Sequence, residues 1–212
     1  MKRLAIGGPT RDLVPASFAT DFAQLFAHTR ERGPWETVDD MFLGHTYIHC
    51  GRELVLEAAI RRGMTHLLWL DTDMSFPRTA ALQLVAHGRP IVGCNYVSRR
   101  QGSGKFTAQR DDGTPIPTTE RSTGLESVGA VGFGCVLMET DIVNRLHRPW
   151  FRHGLNVQGG DVGEDIMFCR ALRESGHTIY IDHDLSKDIG HVGSHTYWAI
   201  EKQSLVNVAS GG

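Results

Sequence analysis

The chain has 212 residues, 41% hydrophobic and 22% charged, with a formal net charge of -2. That length suits one substantial domain rather than two, and the composition is that of a folded globular protein rather than a disordered or fibrous one. The near-neutral charge gives no global pull toward nucleic acid or anionic lipid and leaves room only for a local basic patch. Cys50, Cys94, Cys135 and Cys169 are nowhere spaced as C-x-x-C, and each lies in an apolar or helical context. They read as free thiols in a reducing compartment, not as a zinc site or disulfides. No run is long enough to span a membrane and MKRLAIGGP lacks the apolar core of a signal peptide, so a cytoplasmic protein is expected.

In chain order, Leu4-Ala5-Ile6 and the following Gly-Gly-Pro-Thr-Arg-Asp read as a strand and a glycine-rich turn. Residues 15–32 carry Phe18, Phe22, Leu25 and Phe26 at helical spacing, and Gly33-Pro34 ends that helix. A second strand is expected within residues 35–43. A helix over 48–62 has Leu54, Leu56, Ala58, Ala59 and Ile60 for its apolar face and Gly63 for its stop. Residues 67–70 form a short buried strand, 79–86 a helix, and 90–96 another strand. This alternation predicts an α/β fold, a mostly parallel sheet flanked by helices. It breaks over the polar residues 98–120, which are either a mobile loop or a hairpin around Asp112-Gly113. Residues 127–138 read as a glycine-rich strand pair leading into a helix at 141–146. A loop at 147–163 carries Trp150, Phe151 and Gly159-Gly160; a helix over 164–175, a strand over 178–182 and a tail through His191 and His195 follow. No internal repeat or low-complexity block is present.

The densest signal is HLLWLDTDMSFP, residues 66–77. Residues two apart on a strand point to one face, so a strand ending in Asp71-Thr72-Asp73 would aim two carboxylates together from its C-terminal end, where open α/β sheets bind ligands. Two hard oxygen donors suit Mn²⁺ or Mg²⁺, and that cation suits a diphosphate. The alternative is a solvated turn; Asp182-His183-Asp184, which follows no comparable apolar run into a helix, is read that way. Glu164 and Asp165 open a helix, either as favourable charge at its N-terminus or as a base and a hydroxyl-binding group. His191, between Gly190 and Val192-Gly193, is either a surface or core imidazole or the completion of a carboxylate metal shell. Arg52 is a solvated residue or a ligand-facing one. Arg99, Arg100, Lys105 and Arg110 make one loop basic, either simply solvated or a lid over an anion. RRQGSGK lacks P-loop spacing and GGPTRD lacks the dinucleotide-binding pattern.

Taken in order, AIGGPTRD, HCGREL, HLLWLDTDMSFP, IVGCNYVSRR, VGAVGFGCVLMETDIVNRL, PWF, GEDIMFCRALRESGHTIYIDHD and GHVG resemble the GT-A superfamily of nucleotide-sugar glycosyltransferases, near the small family 2-like proteins of bacteria and phages. The resemblance spans nearly the whole chain. It implies a Rossmann-like domain with a donor-binding half at 1–97 and an acceptor-side half at 98–212. Pro9, Thr10 and Arg11 would lie against the nucleotide, and Arg52 near the base or diphosphate. Asp71, Thr72 and Asp73 would bind the donor diphosphate, the aspartates through Mn²⁺ or Mg²⁺ with His191 as a third ligand. Gly132-Phe133-Gly134 would line the acceptor side. Glu164 and Asp165 match the family's Glu-Asp pair, whose Asp is the general base in inverting members. UDP is the default nucleotide by resemblance. The acceptor is open among a glycan, a lipid-linked sugar, a small metabolite, a protein and a hydroxymethylated base of phage DNA; a phage-encoded chain would work in the host cytoplasm. No accessory domain or membrane span accompanies the match. Two rivals remain: a metal-dependent nucleotidyltransferase, against which GGPTRD offers only one arginine for a triphosphate, and a catalytically inactive nucleotide-sugar-binding module.

Overall fold

The computed structural model describes every residue except 12, 45, 100–103, 157–158, 194–195 and 199–212. Arg100 and His195, singled out above, therefore lie outside the described residues. The elements are β1 (Lys2–Pro9), α1 (Ala16–Arg32), β2 (Trp35–Leu43), α2 (Ile48–Arg61), β3 (His66–Leu70), β4 (Met74–Ser75), α3 (Ala80–Ala86), β5 (Ile91–Gly93), β6 (Leu125–Val128), β7 (Cys135–Glu139), a 3-10 turn (Thr140–Val143), β8 (Gly154–Leu155), β9 (Asp161–Val162), α4 (Glu164–Glu174), β10 (Ile179–Asp182), α5 (His183–Ser186), β11 (Gly190–Val192) and β12 (Thr196–Trp198).

The spine is a seven-stranded sheet in the order β2-β1-β3-β7-β5-β10-β6. β1 is parallel to β2 and β3, and β5 to β10, while β7 runs antiparallel between β3 and β5 and β6 antiparallel along β10. The sheet is thus mixed, with most strands running one way, as expected of this α/β chain. β3 shows why its sequence is a continuous apolar run: it is covered on both faces. Leu67 and Trp69 enter one core with Leu56 of α2 and Phe168 and Leu172 of α4. Leu68 and Leu70 enter the other, with Phe18 and Leu25 of α1 and Ala80 and Leu84 of α3. Since β7 sits between β3 and β5, strands from before and after residue 98 share one sheet. Among the described residues no helix is long and apolar enough to cross a membrane.

Several expectations change. Residues 127–138 are not a strand pair: β6 lies at the sheet edge and β7 in the middle. The intervening glycines serve close approach instead, for a Cβ on Gly129 would come within 2.6 Å of the Arg110 backbone. The helix expected at 141–146 is only the short 3-10 turn, and the strand at 90–96 shortens to β5. Of the two readings of 98–120, a hairpin at its centre prevails. Gly113 takes φ 84°, Arg110 N donates to Thr114 O at 2.9 Å, and Thr114 N donates to the Asp112 carboxylate at 2.8 Å. Buried Asn95 clamps both arms, receiving Ala108 N at 2.9 Å and donating to Ile116 O at 2.7 Å. The loop at 147–163 contains the β8–β9 pair. Asp182-His183-Asp184 is not a solvated turn: Asp182 and His183 are buried, the Asp182 carboxylate meets His87 Nε2 at 2.8 Å and accepts Leu185 N at 3.0 Å as the cap of α5. Only Asp184 faces solvent. Cys94, Cys135 and Cys169 are buried and Cys50 partly so, all as free thiols.

Gly7 marks the tightest point of the sheet, where an added Cβ would lie 2.0 Å from the Met41 carbonyl oxygen across the β1–β2 ladder. Backbone, unlike a flexible side chain, cannot give way cheaply. Gly7→Ala is expected to lower unfolding free energy by about 2–3 kcal/mol or more in urea titrations.

Candidate active site

The site is built on the C-terminal ends of β1 and β3, parallel neighbours. Gly8 explains the Gly-Gly-Pro turn: a Cβ there would lie 2.8 Å from the Leu70 carbonyl oxygen, so only a glycine lets the turn settle against the end of β3. Thr10 N donates to Leu43 O at 2.9 Å, fixing the turn to the end of β2. Thr10 Oγ1 comes within 3.5 Å of Thr72 Oγ1.

β3 stops at Leu70, and residues 71–74 turn back on themselves. Asp71 N donates to Gly134 O and Met74 N to Asp71 O, each at 3.1 Å. The two carboxylates therefore do not share a strand face, as the period-two reading supposed; they sit in a turn and take different partners. β4 then pairs antiparallel with β11, opposing Met74 to His191, and Val192 N donates to Asp73 O at 2.6 Å. This short ladder brings the late histidine beside Asp73.

Asp71 belongs to Arg52. The guanidinium, only 3% exposed, donates from Nη2 to both Asp71 oxygens at 3.1 Å, from Nε to Glu164 Oε1 at 3.1 Å and from Nη1 to the Phe133 carbonyl at 3.4 Å. It lies over the Trp69 and Phe133 rings at 5.7 and 5.6 Å. Arg52 is thus neither a solvated residue nor an open ligand-facing one. Burial alone would lower its pKa, but Asp71, Glu164 and Asp165 raise it overall. Burial pushes Asp71 up, only partly offset by Arg52.

The two residues opening α4 have separate surroundings. Glu164 is 9% exposed and spends one oxygen on Arg52, with His153 Nε2 3.9 Å from the other. Asp165 is half-buried and accepts Ile166 N at 2.8 Å. Burial, then the neighbouring Glu164 charge, raises its pKa to about 6. Tyr96 roofs the region: its hydroxyl accepts Gly134 N at 3.0 Å and its ring meets His191 edge-on at 5.4 Å. A Cβ on Gly132 or Gly134 would lie 2.7 Å from that hydroxyl, which accounts for the glycines. Phe133 itself is buried in the core against Trp69, Phe151 and Phe168.

Asp73 and His191 form the pair that fits a divalent cation. His191 Nδ1 lies 3.1 Å from the Val97 carbonyl, a partner that accepts only, so Nδ1 carries a proton and Nε2 is the nitrogen turned to Asp73. Nε2 is 3.6 Å from Asp73 Oδ1, too far for a good hydrogen bond; neighbouring ligands of an octahedral cation lie about 3.0 Å apart, so a bound cation would draw the two together. Asp73 Oδ2 meets Arg99 Nη2 at 2.6 Å. Burial would raise the Asp73 pKa, but His191 and Arg99 outweigh it and hold the carboxyl below its usual range. Among the described residues no group of three His, Cys, Asp or Glu side chains forms a ready-made cage, consistent with Asp71 being turned to Arg52.

Pro9, Thr10, Arg11, Asp71, Thr72 and Asp73 line one open cleft of about 530 Å³, with Leu13, Tyr47, Ile48 and Arg99 on its walls. Arg52 and Glu164 lie buried below. Of the basic loop, Arg99 lines this cleft, whereas Lys105 and Arg110 do not. Sequence reasoning missed Tyr47, which is 79% exposed, and Tyr96. Their signal was positional: both follow strands ending on the ligand-binding edge of the sheet.

Removing Arg52 would leave two buried carboxylates unpaired. Arg52→Ala is expected to cost about 3–5 kcal/mol of stability at pH 7.5. The cost should shrink at pH 5, toward the range where the raised Asp71 carboxyl takes up a proton; urea unfolding at both pH values checks this.

No family model matches the chain, and no curated protein matches it. Among solved structures the chain is similar to the one described as "Crystal Structure of A197 from STIV", with a TM-score of 0.63, 15% identity and 100% of each chain covered. At that identity the likeness is one of fold: a single mixed α/β architecture runs the length of both chains.

Proposed function

We propose that the chain is a glycosyltransferase that moves a sugar from a nucleoside-diphosphate sugar to an acceptor hydroxyl, using Mn²⁺ or Mg²⁺. The observation that carries this reading is the Arg52 bridge, which ties the Asp71-Thr72-Asp73 turn on one cleft to Glu164 at the start of α4, next to Asp165. It joins a cleft of mixed polar and apolar lining, about 530 Å³, to a carboxylate of raised pKa.

In this reading Asp73 and His191 hold the cation, which when bound supplies positive charge against the departing diphosphate. Pro9, Thr10, Arg11 and Thr72 lie along the nucleoside side of the cleft, and the exposed Tyr47 ring offers a flat face to a base. Arg52 orients Asp71 and Glu164 and keeps both in place without reacting. Asp165 takes the proton of the acceptor hydroxyl as its oxygen attacks the anomeric carbon; this is the inverting course. A carboxyl with pKa about 6 is ionised at neutral pH yet still basic enough for the task. UDP is the nucleotide to try first. Acceptors to try are glycans, small hydroxylated metabolites and DNA carrying hydroxymethylated bases.

A thermal-shift panel of UDP-, GDP-, CDP- and TDP-sugars, each with and without Mn²⁺, tests the donor site. One nucleotide class is expected to raise Tm only with Mn²⁺, and Asp73→Ala is expected to remove that shift while the protein stays folded. A parent-like shift in Asp73→Ala would sink the assignment.

Asp165→Asn separates catalysis from stability. The raised pKa means that ionising Asp165 destabilises the fold, a cost that grows from pH 4 to pH 6 and is complete above. The variant should therefore have a larger unfolding free energy than the parent at pH 8, by on the order of 2–3 kcal/mol, and match it at pH 4. Turnover should fall at least a hundredfold, and the rise of parent kcat/KM through about pH 6 should disappear.

A further inference from the structure

Arg99 is bound where a cation's ligand should be free. Its Nη2 lies 2.6 Å from Asp73 Oδ2, and its Nη1 donates to the Val192 carbonyl at 3.4 Å. The same strand, β11, presents His191 to the other Asp73 oxygen at 3.6 Å. The Asp73 carboxylate thus has one oxygen on the imidazole side and one held by a guanidinium. A divalent cation entering between Asp73 and His191 would face Arg99 at the opposite oxygen, two positive charges on one carboxylate. At such separations like charges repel by several kcal/mol even at intermediate dielectric.

Resting on the cation reading above, we infer that Arg99 is the resting counterion of Asp73 and is displaced when the cation enters. Arg99 is 44% exposed at its side chain, so its release into the cleft needs no rearrangement of the core. The Val192 carbonyl contact is long and holds it weakly. Release leaves a planar guanidinium at the wall of the same cleft, a geometry that suits phosphate oxygens. Asp73 is never an unpaired buried carboxylate, and the site keeps a low affinity for cation until Arg99 has another partner. Arg99 is a positioning residue in this scheme, distinct from Arg52, whose buried contacts are permanent.

The test is Mn²⁺ binding itself, followed by isothermal titration and by the electron paramagnetic resonance of free Mn²⁺. Parent, Arg99→Gln, Arg11→Gln and Asp73→Asn proteins are compared without nucleotide. Arg99→Gln should bind Mn²⁺ roughly threefold to tenfold more tightly than the parent, in line with removal of a partly exposed ion pair. Arg11→Gln removes a charge from the same cleft wall and should change the affinity less than twofold. Asp73→Asn should abolish binding at this site. Equal affinities for the parent and Arg99→Gln, or an equal gain in Arg11→Gln, overturn the counterion role and leave the cation site standing. Mn²⁺ binding that is absent from the parent and from Arg99→Gln, or unaltered by Asp73→Asn, overturns the site reading and the inference together.

Discussion

One buried guanidinium holds this site together. Arg52 enters from α2, between the rings of Trp69 and Phe133, and meets two carboxylates that the chain supplies far apart, Asp71 after β3 and Glu164 at the start of α4. A charge this deeply buried is tolerable only when paired and hydrogen-bonded on several sides, and Asp71, Glu164 and the Phe133 carbonyl meet that condition. The converse also holds: neither carboxylate would stay at its depth without the arginine. The pair of loops that make up the candidate active site are therefore positioned by one another through Arg52, not each by its own strand or helix.

This bridge divides labour among four acidic groups. Asp71 and Glu164 are committed to Arg52 and hold geometry. Asp73, on the far side of the turn, keeps its oxygens for His191 and Arg99. Asp165 stands next to Glu164 but has no arginine of its own, so burial and a neighbouring negative charge lift its pKa to about 6. Adjacent residues in the sequence thus acquire different surroundings, one hydrogen-bonded to a buried guanidinium and one a carboxylate that exchanges protons near neutral pH. In the proposed reaction that asymmetry is what a base beside a charged leaving group requires.

The sheet supplies the rigid frame. β3 has both faces covered, and β7 runs antiparallel between β3 and β5, so the Asp-Thr-Asp turn leaves from the middle of the sheet rather than from an edge. Gly8, Gly132 and Gly134 then allow backbone and the Tyr96 hydroxyl to approach where any side chain would collide. The β4–β11 ladder, only a few residues long, carries His191 to Asp73.

How much of this was legible from residues alone differs element by element. The continuous apolar run before Asp71, the helical spacing of Phe18, Phe22 and Leu25, and the alternation of strands with helices are local patterns, and they determined the α/β class and pointed to the candidate site at the end of β3. They also marked Asp71, Asp73, Glu164, Asp165 and His191 as the residues to watch. What those patterns do not carry is pairing across the chain. Period-two reasoning joined Asp71 to Asp73, yet the strand ends at Leu70 and the turn hands one carboxylate to Arg52 and the other to His191 and Arg99. Asp182 looked like a solvated turn residue and is a buried cap. The 127–138 segment looked like a glycine-rich strand pair, and its two strands belong to different parts of the sheet. Local sequence determined which segments are strands, helices and polar turns, because periodicity and chain stiffness act within a few residues. Only the tertiary structure decided which charge faces which, because burial and ion pairing depend on neighbours brought together from α2, β3, α4 and β11.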